Sequence, residues 1–401
     1  MNAKIKEKIW FVFCAMFIVS YLRISNFTVF RFLAIGIIQI ISMIYIIKNN
    51  IRIKYNKKII IEVLIIILCM VISNFNTENG IESAIKIISV LDLFVMTIIL
   101  LPLFFRDVKF KDILFSTSCA LCMVLIVCFI LYRNDYIYTY GMGRVGGETR
   151  LLAGFVHPNT LGLFSFMCFM SSLILFFYYR KEIKTKKISF VCFCIIFSIY
   201  LMIRADCRTA LLSSGLLICL VLFNRMFYKR KKAKMTFIFL IVGIVLLVVL
   251  FNIDKISYGE LNKILSYRLT YIERAISDLK QNNNLMFGRG AFRNENTLQE
   301  GAVLLDNGYV NTIYQFGFVT FAFVILLEIE MFLQIRKNKI KKEKEIIWQC
   351  FVIFLIYSIP DNILLNISSF FAIYIYTLIS INRMEEKDEQ YEKTNNNYSC
   401  I

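Results

Sequence analysis

A single histidine and scattered carboxylates are all that the 401-residue sequence offers to a hard or borderline metal ion. They make no constellation of the kind that holds zinc or calcium, so no metal and no other cofactor is expected. Twelve cysteines fall in no paired spacing, and Cys69, Cys119, Cys122, Cys128, Cys192 and Cys194 stand inside apolar runs. That pattern excludes a disulfide framework and reads as small, lipid-compatible side chains. No small-residue cleavage site follows Lys4, Lys6 and Lys8, so the first apolar stretch is expected to be a retained helix, not a removable signal. The net charge of +18 would suit nucleic acid only if the basic residues shared an exposed face. They are dispersed between apolar segments instead, which excludes a nucleic-acid partner.

What the chain has in excess is apolar surface. It is 58% hydrophobic, with 38 Phe and 21 Tyr, more than a soluble protein of this length buries. Lipid must therefore solvate much of it, and the bilayer is its first partner. Measured against roughly 20 apolar residues per crossing, about twelve segments qualify, near 9–22, 29–47, 59–73, 84–105, 113–132, 155–179, 188–204, 209–227, 235–253, 309–333, 346–359 and 363–382. The fold class is an all-α integral membrane protein with about twelve transmembrane helices and one large extracytoplasmic loop, 254–306, between helices 9 and 10. Lysine and arginine cluster in alternate loops (48–58, 106–111, 180–187, 229–234, 336–344), which places both termini in the cytoplasm. The expected division is five N-terminal helices in 1–132, a core in 133–335, two C-terminal helices in 336–382 and a disordered cytoplasmic tail in 383–401. Within the long loop, Leu261, Ile264, Leu265, Leu269, Ile272, Ile276 and Leu279 repeat at helical spacing. An interfacial amphipathic helix and a helix packed onto the bundle both fit that pattern.

The two faces use different cations. The cytoplasmic clusters are mostly lysine, whereas Arg133, Arg144, Arg150, Arg204, Arg208, Arg268, Arg274, Arg289 and Arg293 fall on the outer side. Any positive charge sets topology, but the arginine fork grips phosphate in two places and keeps its charge when desolvated. An anionic ligand at the outer membrane surface accounts for the set, and pairing with Glu148, Asp206, Glu260, Glu273, Glu295 and Glu300 accounts for single members.

Three outer segments concentrate polar chemistry. RVGGETRLLAGFVHPNTLG (144–162) contains the histidine and leads into a span. RADCRTALL (204–212) sets Arg204 and Arg208 four residues apart at a tight turn, where two forks suit one anion. FGRGAF (287–292) is followed by LLDNGYVNTIYQFG (304–317) at the mouth of the tenth span.

These segments resemble the O-antigen ligase and polymerase superfamily of membrane glycosyltransferases, particularly the Wzy-type polysaccharide polymerases. The matching elements are Pro158-Asn159-x-x-Gly162, Arg208-Thr209-Ala210, Phe287-Gly288-x-Gly290 and Asn307-x-Tyr309 with Gly317 closing the run. They agree in order, spacing and side over roughly 144–330. Ligases of the superfamily carry a histidine just before the Asn-x-Tyr element. Asp306 stands there in this chain, which is more like the polymerases.

The resemblance implies an enzyme that joins repeat units of a capsule, O-antigen or exopolysaccharide at the bacterial cell membrane. Its donor would be an undecaprenyl-pyrophosphate-linked oligosaccharide, with a flippase and a chain-length regulator as protein partners. On that reading Arg150, Arg204, Arg208 and Arg289 clamp the pyrophosphate, which as leaving group needs charge more than a metal. His157 and Asp306 are the candidate catalytic bases, with Arg144, Asn159, Asn307 and Tyr309 in support. His157 fits a capping role or the orienting of Asn159 equally well, and Asp306 an N-cap. A lipid-linked oligosaccharide flippase is the alternative of another class, but the sequence shows no internal repeat, and Lys86 and Asp92, membrane-embedded candidates in the fourth span, are six residues apart and suit contacts with neighbouring helices. An assembly scaffold and a ligase-like transfer to another acceptor complete the readings.

Overall fold

With no water in the hydrocarbon core, backbone groups must pair within their own segment, so apolar runs of this length form helices. The computed structural model of the protein describes residues 1–23, 28–51, 57–77, 80–139, 148–226, 259, 268–291, 307–337 and 340–381. Its elements are α1 (Ala3–Val19), α2 (Thr28–Lys48), α3 (Lys57–Ser73), α4 (Gly80–Phe105), α5 (Phe110–Tyr132), β1 (Tyr136–Thr139), β2 (Glu148–Leu151), α6 (Pro158–Tyr179), α7 (Thr185–Arg204), α8 (Arg208–Met226), α9 (Arg268–Gln281), α10 (Gly308–Lys337), α11 (Lys341–Tyr357) and α12 (Phe370–Ile381). Eight of them, α2 to α8 and α10, are long and apolar enough to cross a membrane. The protein is an all-α, multi-pass integral membrane protein.

The spans expected at 9–22 and 346–359 fall on α1 and α11, each 17 residues long. The span expected at 235–253, most of the long loop and the tail lie outside the described residues. The last expected span, 363–382, is helical only over Phe370–Ile381. The stretch 358–369 before it is irregular, because Pro360 cannot continue a helix and Asn366 turns its side-chain oxygen to the Ser368 N–H, at 3.0 Å, in place of a helical bond.

Apolar residues surround α6 on every side, and its side chains are buried from Leu161 to Leu175 with few exceptions. It packs against α5, α7 and α8. Trp10 ties α1 to α5 by donating to Thr117 Oγ1 at 2.8 Å. By contrast α2 leaves Phe32, Ile40, Ile44 and Ile47 exposed, as a lipid-facing helix does. In α4 a π turn at Val95–Leu100 precedes Pro102, widening the helix where proline supplies no N–H.

The most consequential break is at Gly317 of α10, whose φ of 80° and ψ of 173° are not helical. In a straight helix Tyr309 and Phe321 would stand about 18 Å apart, yet their rings are 6.3 Å apart. The arm 308–316 therefore folds back along 318–337. The break is closed by 285–290: Arg289 and Gly290 donate their N–H groups to Tyr314 O (3.0 Å) and Gln315 O (2.8 Å), while Leu285 O and Met286 O accept from Phe318 (3.1 Å) and Val319 (3.2 Å). The adjoining α9 buries Ala275 and Leu279 and packs on α10, so of the two readings of the amphipathic segment the packed helix is the observed one for Arg268–Gln281.

At the opposite end of the bundle the ion pairs involve lysine. Lys58 meets Glu330 at 2.5 Å, and Lys6, fully buried, meets Asp107. Glu182 accepts from Lys342 at 2.7 Å and Lys111 at 3.1 Å, and these bonds, Lys342 first, hold its carboxyl below the usual carboxylate range.

Candidate functional site

The first polar segment is anchored before it reaches the site. β1 and β2 pair with Tyr136 opposite Leu151 and Ile137 opposite Arg150, and Leu151, Leu152, Ala153 and Phe155 are buried completely. Arg23 N–H bonds Gly154 O at 2.8 Å, and Asp135 accepts from Gly154 N–H at 3.0 Å and from the Arg23 guanidinium at 3.3 Å. The chain then turns into α6 with His157 extended at the N-cap and Pro158 at the first helical position, where a missing N–H costs nothing. His157 Nδ1 accepts the Asn159 N–H at 3.1 Å. The histidine thus caps a donor of α6, and that nitrogen carries no proton while the bond holds.

Arg150 lies inside the protein with 7% of its surface exposed. Its Nε donates to Ala205 O at 2.9 Å, and one Nη donates to Asn159 Oδ1 at 2.8 Å and to Asp206 O at 3.1 Å. The guanidinium expected to grip a ligand is instead the fastening between β2, the start of α6 and the α7–α8 turn. Gly162 completes this fastening by close approach, since a Cβ there would sit 2.3 Å from that of Cys207. Burial pushes the Cys207 thiol up to about 11, with Asp361 adding to the rise and Arg150 opposing it, so both charges stand beside this turn.

Arg204 and Arg208 do not share a helix face. Arg204 ends α7 and Arg208 begins α8, with the turn 205–207 between them, so the spacing of four is not a helical turn. Arg204 donates to Tyr136 OH and lies 5.5 Å from the center of that ring. Arg208 is exposed and makes no hydrogen bond or ion pair among the described residues. A cation at a helix N-terminus opposes the helix dipole; an anion bound there would neutralise Arg208 and meet the first free N–H groups of α8 together.

Arg289 places one Nη 2.7 Å from both Asp278 oxygens, and Tyr314 OH donates to the same carboxylate at 3.0 Å. Asp278 raises the guanidinium above its ordinary pKa, so it stays charged. This triad holds the folded-back arm of α10 to α9. Asp278→Ala is expected to destabilise the protein by about 1.5 kcal/mol, against less than half of that for Tyr314→Phe, as read by thermal unfolding in detergent.

The folded-back arm is capped by Asn307, whose Oδ1 accepts from Tyr309 and Val310 N–H, each at 3.0 Å. Asn307 thus takes the capping role considered for Asp306. Asp306 and Arg144 lie outside the described residues. Tyr309 is half-buried with its OH directed to Leu355 O at 3.4 Å, a supporting position inside the bundle.

Sequence reasoning missed the irregular segment 358–369. Gly308 N–H bonds Ser358 O at 2.9 Å, and Tyr21 OH donates to Ser368 O. The sequence marks only 360–362 as a short loop before a span at 363–382, and Asn366 inside that apolar stretch is the signal that the irregular segment runs on to 369. Through these contacts β2, the start of α6, the α7–α8 turn, the start of α10 and 358–369 meet at one end of the bundle, while 285–290 packs on the break in α10 and on Asn76 and Thr77.

Residues 192–325, about a third of the chain, match the model of the O-antigen ligase family, Wzy_C. No curated protein matches the chain. The match takes in Arg204, Arg208, Arg289, Asn307 and Tyr309, and leaves out Arg150, His157 and Asn159.

Proposed function

With the match supporting the O-antigen ligase superfamily, and hence a glycan-handling membrane enzyme, we propose that the protein polymerises lipid-linked oligosaccharide repeat units. The hydroxyl of one unit attacks the anomeric carbon of another. A C–O bond forms, the bond to pyrophosphate breaks, and undecaprenyl pyrophosphate leaves with the electron pair. The acceptor proton passes to His157 or Asp306. Arg208 meets the departing pyrophosphate at the N-terminus of α8, with Arg204 beside it. Arg150 positions the turn that carries both, and Arg289 holds the arm of α10 in place. The site faces the extracytoplasmic side of a bacterial cell membrane, where a flippase would deliver units and a chain-length regulator would act on the product.

The observation that carries this reading is Arg208, an exposed guanidinium with no partner among the described residues, at the N-terminus of α8 inside the matched region. In a strain lacking the gene, Arg208→Ala is expected to restore at least ~100-fold less polymer than wild type, the scale of losing one charge-stabilising donor. Single lipid-linked units should accumulate outside the membrane. Polymer made at normal length but left unattached would mean ligase chemistry, and units trapped on the cytoplasmic face would mean a flippase.

A further inference from the structure

Three thiols meet within the bundle, far along the chain from one another. The sulfurs of Cys122 on α5, Cys168 on α6 and Cys194 on α7 lie within 4.8 Å of one another, and all three residues are buried. Each stands near the middle of a helix long enough to span a membrane. Two serine hydroxyls close the pocket. Ser118 and Ser172, both fully buried, are hydrogen-bonded to each other and lie within reach of Cys194, while Cys168 Sγ donates to Ser118 O at 3.8 Å.

We propose that this trio is a binding site for a soft monovalent metal ion of the copper(I) class. Sulfur donors select soft cations and leave magnesium and calcium unbound. Three sulfurs about 2.3 Å from a shared ion stand about 4 Å apart, so the observed group closes by small rotations about Cα–Cβ. A closed structural zinc site takes four protein ligands, and this group, among the described residues, offers three. Copper(I) is satisfied by three. Copper(I) binds cysteine sulfur as thiolate, so the loaded site carries three thiolates around one monovalent ion. Loading releases the three thiol protons, forms three copper–sulfur bonds and changes no oxidation state. Of the two serine hydroxyls, one donates to the other and the second is left to donate toward sulfur. The bound ion would fasten α5 and α7 to α6, the helix that begins at Pro158.

The test uses the full-length protein in detergent, stripped of metal, kept reduced with a phosphine and titrated anaerobically with copper(I) against bathocuproine disulfonate. One copper per chain is expected to be withheld from the chelator. Cys168→Ser, and Cys122→Ser with Cys194→Ser, are expected to withhold none, and Cys69→Ser on α3 to behave as wild type. X-ray absorption of copper-loaded wild type is expected to show three sulfur neighbours, a readout independent of whether the variants fold. No copper withheld by wild type, an equal amount withheld by Cys168→Ser, a two-sulfur shell, or retention of zinc in preference to copper would each overturn the assignment.

Discussion

Gly317→Ala is expected to yield a chain that no longer restores polymer and unfolds at least 10 °C below wild type, or does not accumulate folded. The residue sits at φ 80° and ψ 173°, a region in which a side chain costs about 1–3 kcal/mol. A Cβ there would lie 2.1 Å from Met286 O, a backbone atom with nowhere to go. Relieving that clash pulls 285–290 away from α10, and the N–H groups of Phe318 and Val319 lose their acceptors as Tyr314 O and Gln315 O lose their donors. Each buried group left unpaired costs about 1–3 kcal/mol, so the sum is on the order of 5 kcal/mol, comparable with the whole stability of many proteins. Gly215→Ala is the matched control, because a Cβ there meets nothing within 4 Å. Wild-type unfolding and polymer yield in Gly317→Ala would refute the account of how α10 is held.

The second large effect is expected at Arg150. Arg150→Met keeps much of the length and removes the donors, leaving Ala205 O, Asp206 O and Asn159 Oδ1 without the guanidinium. A loss of about 3 kcal/mol or more follows, seen as a lower unfolding temperature together with lost polymer. Arg150→Lys is expected to rescue little, since a compact ammonium does not reproduce a planar fork reaching three oxygens. Arg208→Ala should behave oppositely, losing polymer at an unchanged unfolding temperature, because that side chain is exposed and unbonded among the described residues. Equal unfolding behaviour in the two variants would remove the distinction between the fastening arginine and the exposed one.

The helical, membrane-spanning character was legible because an apolar run of the right length has one outcome in lipid. The start of α6 was legible too, since Pro158 after His157 forces a helix boundary. The break in α10 was not. Gly317 looked like the end of a motif, and the partner that makes its conformation tolerable lies about thirty residues earlier, at 285–290. Arg150 and Arg208 looked alike in sequence, both outer arginines beside a span, and only burial separates their roles. The trio of cysteines was invisible for the same reason: the three helices bring together residues whose spacing along the chain carries no pattern.

The fastening at Arg150 also bears on how the matched region can be exchanged. The segment that matches the family begins at residue 192, but its first turn is tied to β2, and β2 leads through Leu22 and Phe155 to the end of α1. A chimera that swaps 192–325 sets a foreign turn against Arg150, and a chimera cut at 133 separates Arg23 from Gly154. Exchange of the matched region is therefore expected to give a folded protein only when the 148–162 segment travels with it, so the structural unit is larger than the matched one.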